Sequence, residues 1–355
     1  MDFIINDAIE QSKNVSNNEN VQKIGQAQIK VIGSGGAGNN MIDWLYKKGI
    51  QGAEIIACNT DAQDLDKVEA DKKILMGKDL TKGLGCGGYP KKGEESAREN
   101  EKEIRDSLKG ADMVFICAGM GGGTGTGSAH IIAQIAKKEN NPIVIGTITM
   151  PFNIERARID KAEYGLQKLR QVCDTVIVID NNRLVQVAGN LPVKQAFAVA
   201  NELVSTMIKG IVETISVSGL VNLDFADVRS VMTNGDVAAI GVGSSDTKNK
   251  VEEAVETALS HPLLDINYEG ASGAIIQIIG GEDLKLEEVE KIGQLVTEGM
   301  DQDANVIWGA RIDPKMNGKL MVLTIITGVT SPWILGKRKS SEGSSDDLDL
   351  EIEML

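Results

Sequence analysis

Apolar and polar positions along the chain follow two rhythms. Short apolar runs, Ile29 to Ile32, Ala53 to Cys58, Met113 to Ala118, Pro142 to Thr149 and Thr175 to Ile179, read as strands. Between them, Asn39 to Lys48, Glu94 to Leu108, Ser128 to Lys138 and Asp160 to Val172 read as helices. Such alternation predicts a mostly parallel sheet covered on both faces. One long helix follows, Val193 to Val217, with Pro192 suited to its first turn. Ala196, Phe197, Ala200, Val204, Met207, Ile208, Ile211 and Ile215 recur on it at helical spacing. That stripe is wide enough for burial between two domains, and Gly219 is its terminator. Beyond it the order changes. Val237 to Val242, Ala274 to Ile279, Val306 to Ile312 and Leu320 to Thr327 read as strands, Lys248 to Leu259 and Lys285 to Thr297 as helices. Two successive strands at the end imply a smaller mixed sheet.

The expected fold is α/β. A Rossmann-like parallel-sheet domain over 28–191 is joined by a core helix over 192–218 to a smaller α/β domain over 219–330. Residues 1–27 form a loose polar extension and 331–355 a flexible tail with an acidic end. In that tail Leu348, Leu350, Ile352 and Leu355 would suit a short docking peptide.

Composition narrows the chemistry. The 355 residues carry a net charge of −14, which repels a phosphate backbone and makes nucleic acid a poor partner. A single nucleotide in a local pocket is not excluded. Cys58, Cys86, Cys117 and Cys173 form no C-x-x-C pair and read as reduced, mostly buried thiols. With only His130 and His261, a histidine metal site or triad has little to draw on. No apolar run reaches the ~20 residues of a membrane span, and the N-terminus is polar and acidic, so a cytoplasmic protein is expected.

Glycine carries the functional signal. Gly33, Gly35 and Gly38 satisfy G-x-G-x-x-G between a strand and a helix, and Asp61 follows the second strand where a ribose-binding acid would sit. Alone, this match also describes a tight structural turn. Gly121, Gly122, Gly123, Thr124, Gly125, Thr126 and Gly127 add a second strand-to-helix loop, five of its seven residues glycine. Bare backbone N–H groups, hydroxyls and a helix N-terminus make it an anion cradle for a polyphosphate. It holds no Lys and is not a P-loop, so charge neutralisation falls to backbone dipoles and a bound magnesium ion. A third loop, Gly83 to Gly88, is equally flexible and would close over a terminal phosphate through Gly87 and Gly88.

GGGTGTG at Gly121 to Gly127 resembles the signature of the tubulin/FtsZ family. GGAGNN at Gly35 to Asn40, NTDAQ at Asn59 to Gln63 and NLDFADV at Asn222 to Val228 resemble FtsZ specifically, in the form of the second archaeal paralogue group. The resemblance runs from about Ile29 to Val329 and implies a GTP-binding domain, a core helix and a C-terminal domain that activates hydrolysis. It puts phosphate contacts on Gly35, Gly36, Ala37, Gly38 and Asn39, and guanine recognition on Asn40, Phe197 and Asn201. Glu155 would bind ribose, Arg158 would stand for the arginine that follows it in relatives, and Asn182 would contact sugar or base. Asn201 stands where several relatives have Asp.

Asn222, Asp224 and Asp227 lie after the core helix. On spacing alone, an Asp before an apolar helical run is an N-cap. At ~1.5 Å per residue, however, the helix carries this loop on the order of 30 Å from a base stacked on Phe197. These residues would therefore serve a neighbour's nucleotide in a head-to-tail homopolymer, which the resemblance also implies. The expectation is a cytoplasmic, assembly-dependent GTPase of the division site that uses GTP or GDP with Mg2+. Its tail would reach membrane-anchoring or division partners. Rival readings are a GTP-binding scaffold with little hydrolysis, and a nicotinamide-dependent oxidoreductase built on Gly33 to Gly38.

Overall fold

The computed structural model describes residues 27–216, 219–221, 223–233, 236–260 and 268–329. Residues 1–26 of the expected extension, the tail, Asn222 and His261 lie outside the described residues.

The first half alternates strand and helix: β1 (Ile29–Ser34), α1 (Gly35–Lys48), β2 (Ala53–Asn59), α2 (Ala62–Lys67), β3 (Lys72–Leu75), α3 (Lys78–Thr81), α4 (Pro90–Glu99), α5 (Glu101–Leu108), β4 (Met113–Gly119), α6 (Thr124–Lys138), β5 (Ile143–Met150), a 3-10 turn (Asn153–Arg158), α7 (Ile159–Arg170) and β6 (Thr175–Asp180). The six strands lie in the order β3-β2-β1-β4-β5-β6, and every pair is parallel. The sheet is buried on both faces, as the near-continuous apolar run of its central strand Met113–Gly119 requires. Val31, Met113, Phe115 and Ile145 face one core, while Ile32, Val114, Ile116 and Val144 face the other.

After α8 (Asn181–Ala188), the long helix α9 (Val193–Ser216) runs along α1. Ala200, Val204, Met207, Ile208 and Ile211 are buried on it, and Ser205 Oγ reaches Met41 O at 3.5 Å. Its later turns meet the second half of the chain: a Cβ on Gly210 would lie 3.0 Å from Leu323. The chain continues through α10 (Phe225–Met232), β7 (Asp236–Ser245), α11 (Lys250–Leu259), β8 (Gly273–Gly280), α12 (Leu286–Thr297), β9 (Asn305–Ile312) and β10 (Leu320–Thr327). The second sheet is mixed, in the order β7-β10-β8-β9: β10 is antiparallel to β7 and β8, and β9 is parallel to β8. The two last strands, successive in sequence, are thus separated by β8. The sheets also join: Thr175 pairs with Asp236 and Val176 with Val237, which makes one ten-stranded sheet.

Candidate functional site

Strands β1 and β4 are neighbours, and the chain leaves them in opposite directions along the sheet, toward β2 and toward β5. This reversal is the place where open α/β sheets leave a crevice beyond the strand ends. Both glycine loops open there. α1 starts at Gly35 and α6 at Thr124, four residues before the starts expected from the sequence. The glycines are poor helix formers, yet here they form or abut the first turns.

Close approach explains many of them. A Cβ on Gly35, at φ 71°, would lie 2.9 Å from Gly125 N, so the two helix N-termini touch. On Gly38 it would lie 2.1 Å from Cys117 O, on Gly125 2.7 Å from Gly119 O, and on Gly127 1.9 Å from Pro90 O. Gly36 and Gly122 instead face open space. Neither helix carries a side-chain cap. Ser34 Oγ pairs with Ser128 Oγ at 2.5 Å, and Thr126 Oγ1, fully buried, accepts the Gly121 N–H at 2.9 Å. By contrast, α2, α8 and α10 are capped by Asp61, Asp180 and Asp224. The first N–H groups of α1 and α6 have no intrahelical acceptor, so both positive ends are left pointing into the crevice.

The crevice opens into a cleft of about 1310 Å³. Gly35, Gly36, Ala37, Asn40, Gly122, Gly123, Thr124, Gly125, Glu155, Arg158, Phe197 and Asn201 line it, all expected from the sequence. Phe197 is 43% exposed and stands edge-on to Phe152, with ring centroids 5.9 Å apart. Glu155 accepts the Phe152 N–H at 3.1 Å and pairs with Arg158 at 2.6 Å. Other expected residues stand behind or beside the lining. Gly38 and Thr126 pack inside, and Asn39 is buried with its amide on Cys58 O at 3.2 Å. Gly121 (φ 92°) and Gly127 shape the turn into α6. Asp61 Oδ1 accepts from Gln63 N and Asp64 N at 3.0 Å, and Asn182 Oδ1 accepts from Asn153 N at 2.8 Å. Gly87 and Gly88 sit in a loop against Gly123.

Motif reasoning missed Trp44, Asn181, Lys194 and Gln195, which also line the cleft. Lys194 precedes Phe197 by one helical turn, a signal available in the sequence. Trp44 is fixed by its indole N–H, which donates to Glu202 at 2.7 Å; Lys48 pairs with the same carboxylate. Burial disfavours the charge on Glu202, but bonds from Lys48, Trp44 and Thr206 outweigh it and hold its pKa below the usual carboxylate range. Asp224 and Asp227 are exposed at the start of α10, beyond the 24-residue α9. Asp224 caps that helix, its Oδ1 accepting from Ala226 N at 3.0 Å. The four cysteines are buried and none is in a disulfide, and burial alone pushes the Cys117 thiol up to about 12. Among the described residues, no helix is long and apolar enough to cross a membrane.

Residues 28–189 match the GTPase domain of the tubulin/FtsZ family, and 236–330 match the FtsZ family C-terminal domain. The chain belongs to the FtsZ family. It is 55% identical to cell division protein FtsZ 2 of Methanocaldococcus jannaschii over 318 residues, 89% of this chain and 83% of the relative. It is 53% identical to cell division protein FtsZ 1 of Thermococcus kodakarensis, covering 88% and 84%. A solved FtsZ dimer of M. jannaschii superposes with a TM-score of 0.80 at 46% identity, covering 91% of this chain and 92% of that one. Within the FtsZ family fold, residues 28–189 are the GTPase domain, and the cleft described above opens on it.

Proposed function

We propose that this chain is a filament-forming GTPase of cell division, which hydrolyses GTP where two subunits meet head to tail. The observation that carries this reading is the meeting of two uncapped helix N-termini, α1 and α6, at the β1–β4 crevice. Uncapped amides and two glycines that face open space fit a polyphosphate. Gly35, Gly36, Ala37 and Gly121 to Gly125 would hold phosphate oxygens, with Gly38, Asn39, Thr126 and Gly127 fixing the backbone behind them. Phe197 offers a face to guanine, and Asn40 and Asn201 its polar edge. Glu155 and Arg158, which line the cleft, would bind ribose, with Asp61 and Asn182 steadying the loops beside them. No cluster of three His, Cys, Asp or Glu suited to a metal occurs among the described residues. A magnesium ion bound together with the nucleotide would supply charge neutralisation there.

Hydrolysis needs a group to orient water. The exposed carboxylates of Asp224 and Asp227 lie past α9, whose 24 residues span about 36 Å. On that span they would fall short of their own cleft and act on the neighbour's, together with Asn222. A contact of this heterologous kind builds a filament. The site would work in the cytoplasm at the division plane, with the tail reaching division partners. Phosphate release per subunit should rise steeply with protein concentration, and Asp227→Ala should bind GTP yet turn it over at background rate. A rate per subunit that is constant on dilution would count against the scheme.

A further inference from the structure

Backbone bonds hold the start of the loop from Gly83 to Tyr89, with Ala62 N–H donating to Gly83 O at 3.0 Å and Gly85 N–H to Thr60 O at 3.1 Å, while Gly87 and Tyr89 further on are exposed. Gly83, Gly85, Gly87 and Gly88 all take positive φ, and Cys86 is the one buried side chain among these residues. Tyr89 N–H donates to Cys86 O at 3.1 Å, closing a turn around Gly87 and Gly88. The loop nevertheless rests on the phosphate cradle. A Cβ on Gly123 would lie 2.7 Å from Cys86 Cβ, 3.0 Å from Tyr89 N and 3.2 Å from Gly88 N.

What reaches over to it is Lys161. Its Nζ donates to Gly88 O at 2.9 Å and sits 5.8 Å from the centre of the Tyr89 ring, which Lys92 also approaches at 5.7 Å. Lys161 follows Arg158 by one helical turn, and a Cβ on Gly121 would lie 2.9 Å from Arg158 O. One ammonium thus ties Gly88 to a helix already seated on the cradle. The loop approaches Gly123 from the β2–β3 side, whereas Phe152, Glu155 and Asn181 come from the β5–β6 side.

Resting on the nucleotide reading above, we propose that Lys161 is a positioning residue: by holding the Gly83–Tyr89 loop against Gly123, it sets the preference of the cleft for a triphosphate over a diphosphate. A longer phosphate chain extends away from the base, toward the side the loop covers. A contact there acts on the third phosphate and leaves the first two unaffected. The bond is charge-assisted, and the ring contact adds to it.

The test is a titration of full-length protein, below the concentration at which it assembles, with GDP and with a non-hydrolysable GTP analogue. Lys161→Met should raise the Kd of the analogue about tenfold while changing that of GDP less than about twofold. Lys161→Arg, which keeps donor and charge, should recover most of the loss. Lys168→Met is the control, because Lys168 lies over Tyr164 on the same helix at 5.6 Å. It should move neither constant. Equal weakening of both nucleotides, or of neither, in Lys161→Met would overturn the proposal while leaving the nucleotide reading standing. Wild-type protein that binds neither nucleotide would overturn both.

Discussion

Gly36 and Gly38 lie in one helical turn, yet alanine at each should do opposite things. At Gly38 the new methyl meets Cys117 O at 2.1 Å, a backbone atom that cannot give way. Gly38→Ala should lower the unfolding free energy by about 1–3 kcal/mol, measured by chemical denaturation. At Gly36 the methyl meets nothing within 4 Å, so stability should stay within about 0.5 kcal/mol while nucleotide affinity falls. His130 offers a second test at this scale. It is 4% exposed on α6, and burial holds its pKa below the usual 6.5 despite nearby Glu94. The unfolded chain therefore takes up this proton first. The contribution is full above the unfolded value and is lost as pH falls through it toward the lower folded one. His130→Gln should flatten that part of the stability curve between about pH 7 and 5, read from denaturant midpoints.

At the scale of elements, α1 and α9 are joined through Glu202, and that joint forms part of the cleft wall. Trp44 should consequently report occupancy: its emission should change on adding nucleotide, and Trp44→Phe should remove most of the change. Trp308→Phe, on β9, should leave it intact. Strand runs such as Met113 to Ala118 are legible because both faces are buried, so no polar residue interrupts them. The true starts of α1 and α6 are not, because propensity reads glycine as loop while packing against β4 and α4 demands it. Likewise Glu94 to Leu108 reads as one helix, but Asn100 interrupts it, its Oδ1 accepting the Gly77 N–H at 2.8 Å. β3 escapes notice because Lys72 and Lys73 mask a four-residue edge strand. The phosphate half of the site is written in consecutive residues and so can be read. Trp44 and Asn181 join it only through tertiary packing, which no local spacing encodes.

For the whole molecule, cleft and carboxylate loop lie at the two ends of α9, so two defects placed at opposite ends should complement. Asp227→Ala subunits have an intact cleft. Gly122→Glu subunits keep the loop but place a carboxylate where phosphate would sit. Each should be inactive alone, and mixing them should restore part of the phosphate release, since some contacts then pair a sound cleft with a sound loop. A mixture no faster than either parent would show that the loop does not act in trans. The joint between β6 and β7 bears on the same arrangement. Seven residue pairs tie β4 to β5, but only two tie β6 to β7. In a filament, any pull between neighbours must cross each subunit at that section, with α9 as the strut beside it. A chain of such subunits would be mechanically soft within each link as well as between links, and would take up curvature there before its contacts part.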